Sequence, residues 1–546
     1  MSKAFDSPPL PVDVGSGADA LSVSVGSNKP HVLLPGGKQT ITETASTLGK
    51  LLAATGRYFI RGGAVTLLNE SGDGAELQIL KPAAACAVFE EVATLFHAKI
   101  DKDKKLEIRH SICSEGAAKL IISASAFVSS LPRIRVLSPC PVLVECKGEL
   151  KQIIGFDPVT GVLARGEAAE DDMALDTARE LLRGTVADFD FVSPSDRARA
   201  LAGLICPALI RGGLLGKNHR APVDLGEADD SQAGKGYRVK ITCAIYNSTP
   251  RTIVQRNGGV GGVDESVSSA LVAGHDFISL DNIRGRLDSQ AFESLLTEPT
   301  YAARVPYAGE VEIDVQPVTF FLTSNAADLT RDMANRCSAT CIRKRPSGYK
   351  FAVHSEGSIL EHIQANQSDY LGAVFAIIRE WWNRGKLRSP AESVDHDFRQ
   401  WARVLDWISR NLLNAGPLLD GHREVQQRTA TPALGWLRQV ALLVKNAGRM
   451  ESELRAFEFL DLLAEHGGDI PGWDGHADLE SEPTRKSVLQ AIGRNMAQCF
   501  RSSETLTLDG FNIQRHESFD ESLRKNVKTY TFCPFAPNAP DAPELP

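Results

Sequence analysis

The residues best suited to chemistry fall in four short stretches in the middle of the chain. The first is EADDSQAGKGYRVK, residues 227–240. The pattern that cradles nucleotide phosphates is G-x-x-x-x-G-K-[ST]. Gly234 and Lys235 match it, but Asp229 stands at the first glycine and Gly236 at the hydroxyl position. Backbone N–H groups of Ser231, Gln232, Ala233, Gly234, Lys235, Gly236 and Tyr237, with the start of a following helix, can hold phosphate oxygens. Lys235 would neutralise the β- and γ-phosphates. The competing reading is a glycine turn that carries a lysine.

The second stretch, HDFISLDN (275–282), ends in Asp281, a residue type that holds Mg²⁺ directly or through water. The third, VTFFLTSN (318–325), ends in Ser324-Asn325, where an amide can orient an attacking water. Each pattern is common alone. Three in this order, each closing an expected strand, point to phosphoryl transfer. The departures have consequences. Gly236 offers no hydroxyl to a metal, which leaves Ser231 or water to replace it. Asp229 puts negative charge near the phosphates. Asn282 stands where many ATPases carry the glutamate that polarises water, and an amide is no general base. Glu227 is the substitute carboxylate in reach by sequence. The fourth stretch, DLTRDMANRC (328–337), carries Arg331 and Arg336. An arginine fork stabilises the charge that develops in phosphoryl transfer. Asp/Arg pairs on a surface helix have the same spacing.

These residues need a scaffold. APVDLGEA (221–228) reads as a buried strand entering the loop, and YRVKITCAIYN as the helix leaving it. TIVQR (252–256) reads as a strand, and DESVSSALVAG as a helix capped by Asp264. Ser193-Pro194 is a helix start, with a capping hydroxyl and a first-turn proline, and that helix runs through RARALAGLICPALI. Strands alternating with helices imply a largely parallel sheet covered on both faces, with its ligand site at the strands' carboxyl ends.

Outside this region the signals are coarser. Residues 1–30, rich in Pro, Gly, Ser and Asp, read as a disordered tail, and 536–546 as a Pro-rich tail. Residues 31–189 read as a mixed α/β domain with a linker helix. YFIRGGAVTLLN (58–69) is two strands around a Gly-Gly turn, and ACAVFEEVATLFHAKI (85–100) has apolar residues at helical spacing. Residues 351–450 read as helical. Residues 451–535 hold two helical stretches followed by two strand-like segments, the pattern of a winged helix.

At 546 residues, 43% hydrophobic and 23% charged, the composition is that of a multidomain globular protein. No apolar run is long enough to span a bilayer, and the first residues lack the design of a secretory signal, so no membrane partner and a cytoplasmic location are expected. The ten cysteines form neither a disulfide framework nor finger-like pairs. A formal net charge of −8 argues against a coat for nucleic acid, but not against a local basic channel.

The segments GEADDSQAGKGY, QRNGGVGGVDESVSSALVAG, FISLDNIRGRLDSQAFESLLTEP and FFLTSNAADLTRDMANRC resemble the ATPase core of primase-helicase-like proteins of phages, plasmids and mobile elements. That group is related to the superfamily 3 and poxvirus-type helicases within the AAA+ class. The resemblance is strongest over residues 190–350 and includes the Asp281-Asn282 pair. It implies an α/β AAA+ P-loop core, a mixed α/β domain before it, and a helical region and winged-helix-like module after it. By position, Lys235 is the Walker A lysine, Asp281 the Walker B acid, Asn325 the sensor 1 residue, and Arg336 the arginine finger with Arg331 as second choice. The cofactors implied are ATP and Mg²⁺.

The resemblance also implies a homo-oligomer, a hexamer ringing single-stranded DNA, with pore hairpins on the phosphate backbone. Candidate contacts are Arg256 in the RNGGVGG turn, Arg304 and Tyr307 in AARVPYAGEVEIDV (302–315), and Arg284 and Arg286 in DNIRGR. For each arginine a solvated or ion-paired side chain is the competing reading. The expected function is an ATP-dependent DNA helicase or translocase of a mobile element. The alternative is a nucleotide-gated scaffold or switch with little turnover, which Gly236 and Asn282 favour.

Overall fold

The computed structural model describes residues 29–534 apart from short stretches at 37–38, 72–73, 101–105, 229–231, 255–261, 284–285, 288, 306–308, 326, 395, 430–431, 467, 474–477, 501–502, 509 and 521–524. Apart from residues 29 and 30, the expected tails lie outside the described residues. So do Asp229, Ser231, Arg256, Arg284 and Tyr307, and the Arg286 side chain.

The chain divides into two compact units. The smaller holds the described residues of 29–55 and 81–130. Its sheet pairs His31–Leu33 parallel to Thr94–Ile100, and Leu106–His110 antiparallel to the latter. Helices Ile41–Ala54, Pro82–Val92 and Glu115–Ser123 and the short helix Ser125–Val128 lie in the same unit. The helical periodicity read over 85–100 holds only as far as Val92. Thr94–Ile100 is a strand, closed into the sheet by tertiary pairing that local spacing does not reveal.

The larger unit contains the hairpin Tyr58–Arg61/Ala64–Ser71, extended by a third strand, Gly74–Ile79. Its centre is a six-stranded sheet. The strands are β1 (Asp190–Phe191), β2 (Val223–Ala228), β3 (Arg251–Val254), β4 (Phe277–Asp281), β5 (Thr319–Ser324) and β6 (Cys337–Arg343), in the order β1-β6-β2-β5-β4-β3. Neighbours from β6 to β3 are parallel, and β1 runs antiparallel to β6 at one edge. The sheet is buried on both faces. Phe277 and Phe321 point into one core with helices α1 (Pro194–Arg211) and α2 (Lys235–Ile245). Ile278, Leu280, Phe320 and Leu322 point into the other, with α3 (Val263–Ala273). Continuous apolar strands are what a doubly covered parallel sheet requires.

Local signals set the helix ends. Ser193 accepts the Asp196 N–H at 3.1 Å and Pro194 sits in the first turn of α1. Pro207 lies inside that helix. There the Tyr246 hydroxyl enters the ladder, accepting from the Ala208 N–H (3.2 Å) and donating to the Leu204 carbonyl (2.6 Å). It satisfies groups that the proline disturbs. The cap of α3 is Gly262, not Asp264, which lies in the first turn and accepts from the Ser289 hydroxyl.

Helices Gln367–Asn383 and Arg399–Asn411 share the first core, through Phe375, Ile378, Trp381 and Leu405. A separate core holds helices Pro432–Asn446, Ala456–Glu465 and Glu482–Cys499 against an antiparallel sheet of Thr505–Leu508, Phe511–Asp520 and Lys525–Pro534. Between these cores, helix His422–Thr429 projects Arg428 to the end of β2. There its guanidinium donates to both oxygens of Glu227, with Nη1 at 2.6 Å from Oε1. Both side chains are fully buried.

Glu227 is therefore not available as a substitute general base, as sequence position alone allowed. Burial would raise its carboxyl, but Arg428, Arg438 and the Ala327 N–H outweigh this and hold it below the ordinary value. A depressed folded value means the pair stabilises fully above the ordinary carboxylate range and loses its effect as pH falls through the folded value. Arg428→Met should destabilise by about 3–5 kcal/mol, because it strands a buried charge. Glu227→Leu together with Arg428→Met should recover most of that loss. Chemical unfolding of the three variants at neutral pH checks both, and a double variant no better than the single would refute the pairing.

Candidate phosphate-binding site

The order of the strands puts the ends of β2, β5 and β4 side by side. Gly234, the N-cap of α2, has φ +95°, and a Cβ there would meet the Phe189 ring at 3.0 Å. Glycine is required on both counts. Lys235 opens α2, so its ammonium and the free N–H groups of that helix turn lie together. Gly226 and Arg238 bring α2 down on β2. Arg238 is buried and donates to both oxygens of Asp224, at 2.9 and 2.6 Å. A Cβ on Gly226 would only touch its guanidinium, at 3.4 Å.

Lys235 Nζ donates to Asn325 Oδ1 at 2.5 Å. Asn325 directly follows β5, and two residues earlier Thr323 reaches across to β4. The Thr323 hydroxyl donates to Asp281 Oδ1 at 2.6 Å and accepts from the Asn282 N–H at 2.8 Å. Lys235 thus contacts Asn325, and Asp281 is held by Thr323, two residues before Asn325, both at the carboxyl end of the sheet. Asn282 is exposed and has φ +51°. Asp281 Oδ2 has no partner among the described residues. Among those residues, no group of three or more His, Cys, Asp or Glu could cage a metal. One carboxylate with a spare oxygen suits Mg²⁺, which is held mainly by phosphates and water.

Beside Gln232, Gly234 and Tyr237 lies a cavity of about 590 Å³, walled further by Phe189, Tyr349 and Phe351. Sequence reading missed it because its walls come from two distant segments. The segment after β6 is folded back by Asp188. The Asp188 carboxylate accepts from the Tyr349 hydroxyl (2.8 Å) and the Ala352 N–H (2.9 Å). Arg345 donates to the Asp188 and Phe189 carbonyls and lies over the Tyr349 ring at 4.4 Å. The hydrogen bond to Asp188 raises the Tyr349 phenol above its ordinary value. The basic segment IRKRPSGYK, residues 342–350, therefore supplies one wall of the cavity.

The two candidate finger arginines have different surroundings. Arg336 donates to the Glu293 carbonyl at 2.9 Å and lies 4.0 Å from its carboxylate. Arg331 opens α4 (Arg331–Asn335) and is exposed, with no partner among the described residues. Arg304 is exposed on the antiparallel hairpin Thr300–Val305/Gly309–Asp314, opposite Glu310. A Cβ on Gly62 would strike the Glu312 carbonyl at 2.3 Å, so the hairpin base lies tight against the Gly-Gly turn. No helix among the described residues is long and apolar enough to cross a membrane.

No family model and no curated protein matches the chain. Among solved structures it is similar to the apo C-terminal region of NrS-1, with 14% identity over 89% of this chain and 98% of that one, at a TM-score of 0.34. The SCCmec type IV Cch active helicase shows 11% identity over 79% and 93%, at 0.27. The JCV helicase shows 12% over 48% and 66%, at 0.21.

Proposed function

We propose that this protein is an ATP-driven motor on DNA, built on an AAA+ core. The observation that carries the reading is the Lys235–Asn325 contact at the end of β5, the strand whose Thr323 also bonds Asp281 at the end of the neighbouring parallel strand. Phosphates would sit over the N-terminus of α2, where Lys235 and backbone N–H groups favour negative charge. The aromatic cavity beside the loop would take the nucleobase, which favours a nucleoside triphosphate over a bare polyphosphate. Asp281 would hold Mg²⁺, which draws off charge at the phosphates when bound, and Asn325 would position the water. Arg331, being unpartnered among the described residues, suits donation to a neighbouring subunit's site better than Arg336. Hexameric assembly, with single-stranded DNA against the 300–314 hairpin and the 432–534 region as a winged helix, completes the reading.

Lys235→Ala should lower ATP turnover by about 100-fold or more, in line with loss of a preorganised charge-stabilising group. Turnover should rise with single-stranded DNA in the parent only. Steady-state phosphate release with and without DNA checks this. Tight ATP binding without turnover in the parent would instead support the switch, which the exposed amide of Asn282 and the sequestered Glu227 favour.

A second test separates the arginines. Arg331→Ala should cut turnover by roughly 10³-fold with melting unchanged, within the range for an arginine supplied in trans. Arg336→Ala should lower the melting temperature, because its contacts are internal. The reverse pattern, read by phosphate release and thermal melting on both variants, would return the role to Arg336.

A further inference from the structure

Thr323 connects the parts of the site, yet nothing in its own chemistry reacts with a nucleotide. It is buried at 2% exposure near the end of β5. A threonine hydroxyl has one proton and two lone pairs. The Asn282 N–H points at a lone pair, at 2.8 Å, so the single proton goes to Asp281 Oδ1, at 2.6 Å. The β-branched side chain is stiff at χ1, which fixes the direction of that bond. The regular β4–β5 pairing ends at Leu280 opposite Leu322. Beyond it, the Ile283 N–H donates to the Thr323 carbonyl at 2.9 Å, and the Ser324 hydroxyl donates to the Ile283 carbonyl at 3.0 Å. Main chain and side chain of the same two residues therefore clamp both sides of the left-handed step at Asn282.

We infer that Thr323 is a positioning residue. Its hydroxyl occupies one oxygen of Asp281 and turns the other toward the phosphate site for a divalent cation. The inference rests on the reading of Asp281 given above. The bond from Thr323 restrains rotation of the Asp281 carboxylate, so one orientation is favoured before any cation arrives. Residues that orient a metal-binding group in this way typically change metal affinity or activity by about 10- to 100-fold when altered. The same strand carries Asn325 to Lys235, so a single strand end sets both contacts.

The test uses the full chain with Thr323→Val, which keeps the shape and removes the hydroxyl, and Thr323→Ser, which restores it. Equilibrium binding of a fluorescent, non-hydrolysable ATP analogue is measured across Mg²⁺ concentrations and in EDTA, beside ATP turnover. Thr323→Val should raise the half-saturating Mg²⁺ concentration about 10- to 100-fold in both assays, with affinity in EDTA unchanged. Thr323→Ser should recover most of the parent's response. Should Thr323→Val melt far below the parent, Thr323→Cys, which keeps the volume and weakens the donor, carries the same expectation. An unshifted Mg²⁺ response, equal weakening with and without Mg²⁺, or no recovery in Thr323→Ser would overturn the inference and leave the proposed function standing. A parent that binds no nucleotide with or without Mg²⁺ would remove both.

Discussion

The register of β4 against β5 is the constraint on which the site depends. Side chains on a strand alternate between faces, so a slip of one residue would exchange the two sets. Leu280 and Leu322 are paired across the ladder, with Phe320 and Ile278 on the same face. Phe277 and Phe321 stack on the other face, with ring centroids 5.9 Å apart. Both faces are dry, so a slip would fail to match large side chains on both sides at once. That apolar lock delivers Thr323 to Asp281 and Asn325 to Lys235. Hydrophobic packing here does the positioning, and the polar contacts at the strand ends inherit its precision.

Buried charges reinforce the same frame. Arg238–Asp224 ties α2 to β2, Arg211–Asp276 ties α1 to the approach of β4, and Arg428–Glu227 ties the His422–Thr429 helix to the end of β2. Each guanidinium is almost wholly removed from water, a placement costly to leave half-paired. Pairs of this kind contribute less to net stability than to fixing one arrangement. Here the arrangement they fix is the approach of three separate segments to one strand edge. Glu227 also accepts from the Ala327 N–H, so the chain just past Asn325 is held by the same carboxylate.

Much of this was legible in the sequence, and the limits have physical causes. The strands at 223–228, 277–281 and 319–324 and the helix from Ser193 follow from apolar runs and a capping hydroxyl, which are local signals. Asp281 and Asn325 could be singled out because each closes such a run, and Lys235 because it follows Gly234 in a near-match to a phosphate-binding loop. Thr323 could not, since VTFFLTSN reads it as one more β-branched strand residue and its partner lies on another strand. The role of Arg428 and the cavity walls at Phe189 and Tyr349 were equally hidden, because long-range contacts decide them. The strand at 94–100 was obscured by an apolar spacing that also fits a helix. Pairing with His31–Leu33 on one side and Leu106–His110 on the other resolves it.

Asn282 is better understood through its backbone than through its amide. The chain leaves β4 by a left-handed step, φ +51°, which β-carbon sterics disfavour for most residues but asparagine tolerates. Thr323 takes the N–H on one side of that step and the Ile283 N–H on the other. A glutamate in its place would have to hold the same conformation without asparagine's tolerance of it. Asparagine therefore suits the left-handed step that the Thr323 contacts hold in place. The left-handed step leaves Asp281 bonded to Thr323 and places an amide, not a carboxylate, directly after it. Asn325, itself an amide, can orient a water but cannot take its proton, and the Glu227 carboxylate is sequestered by Arg428.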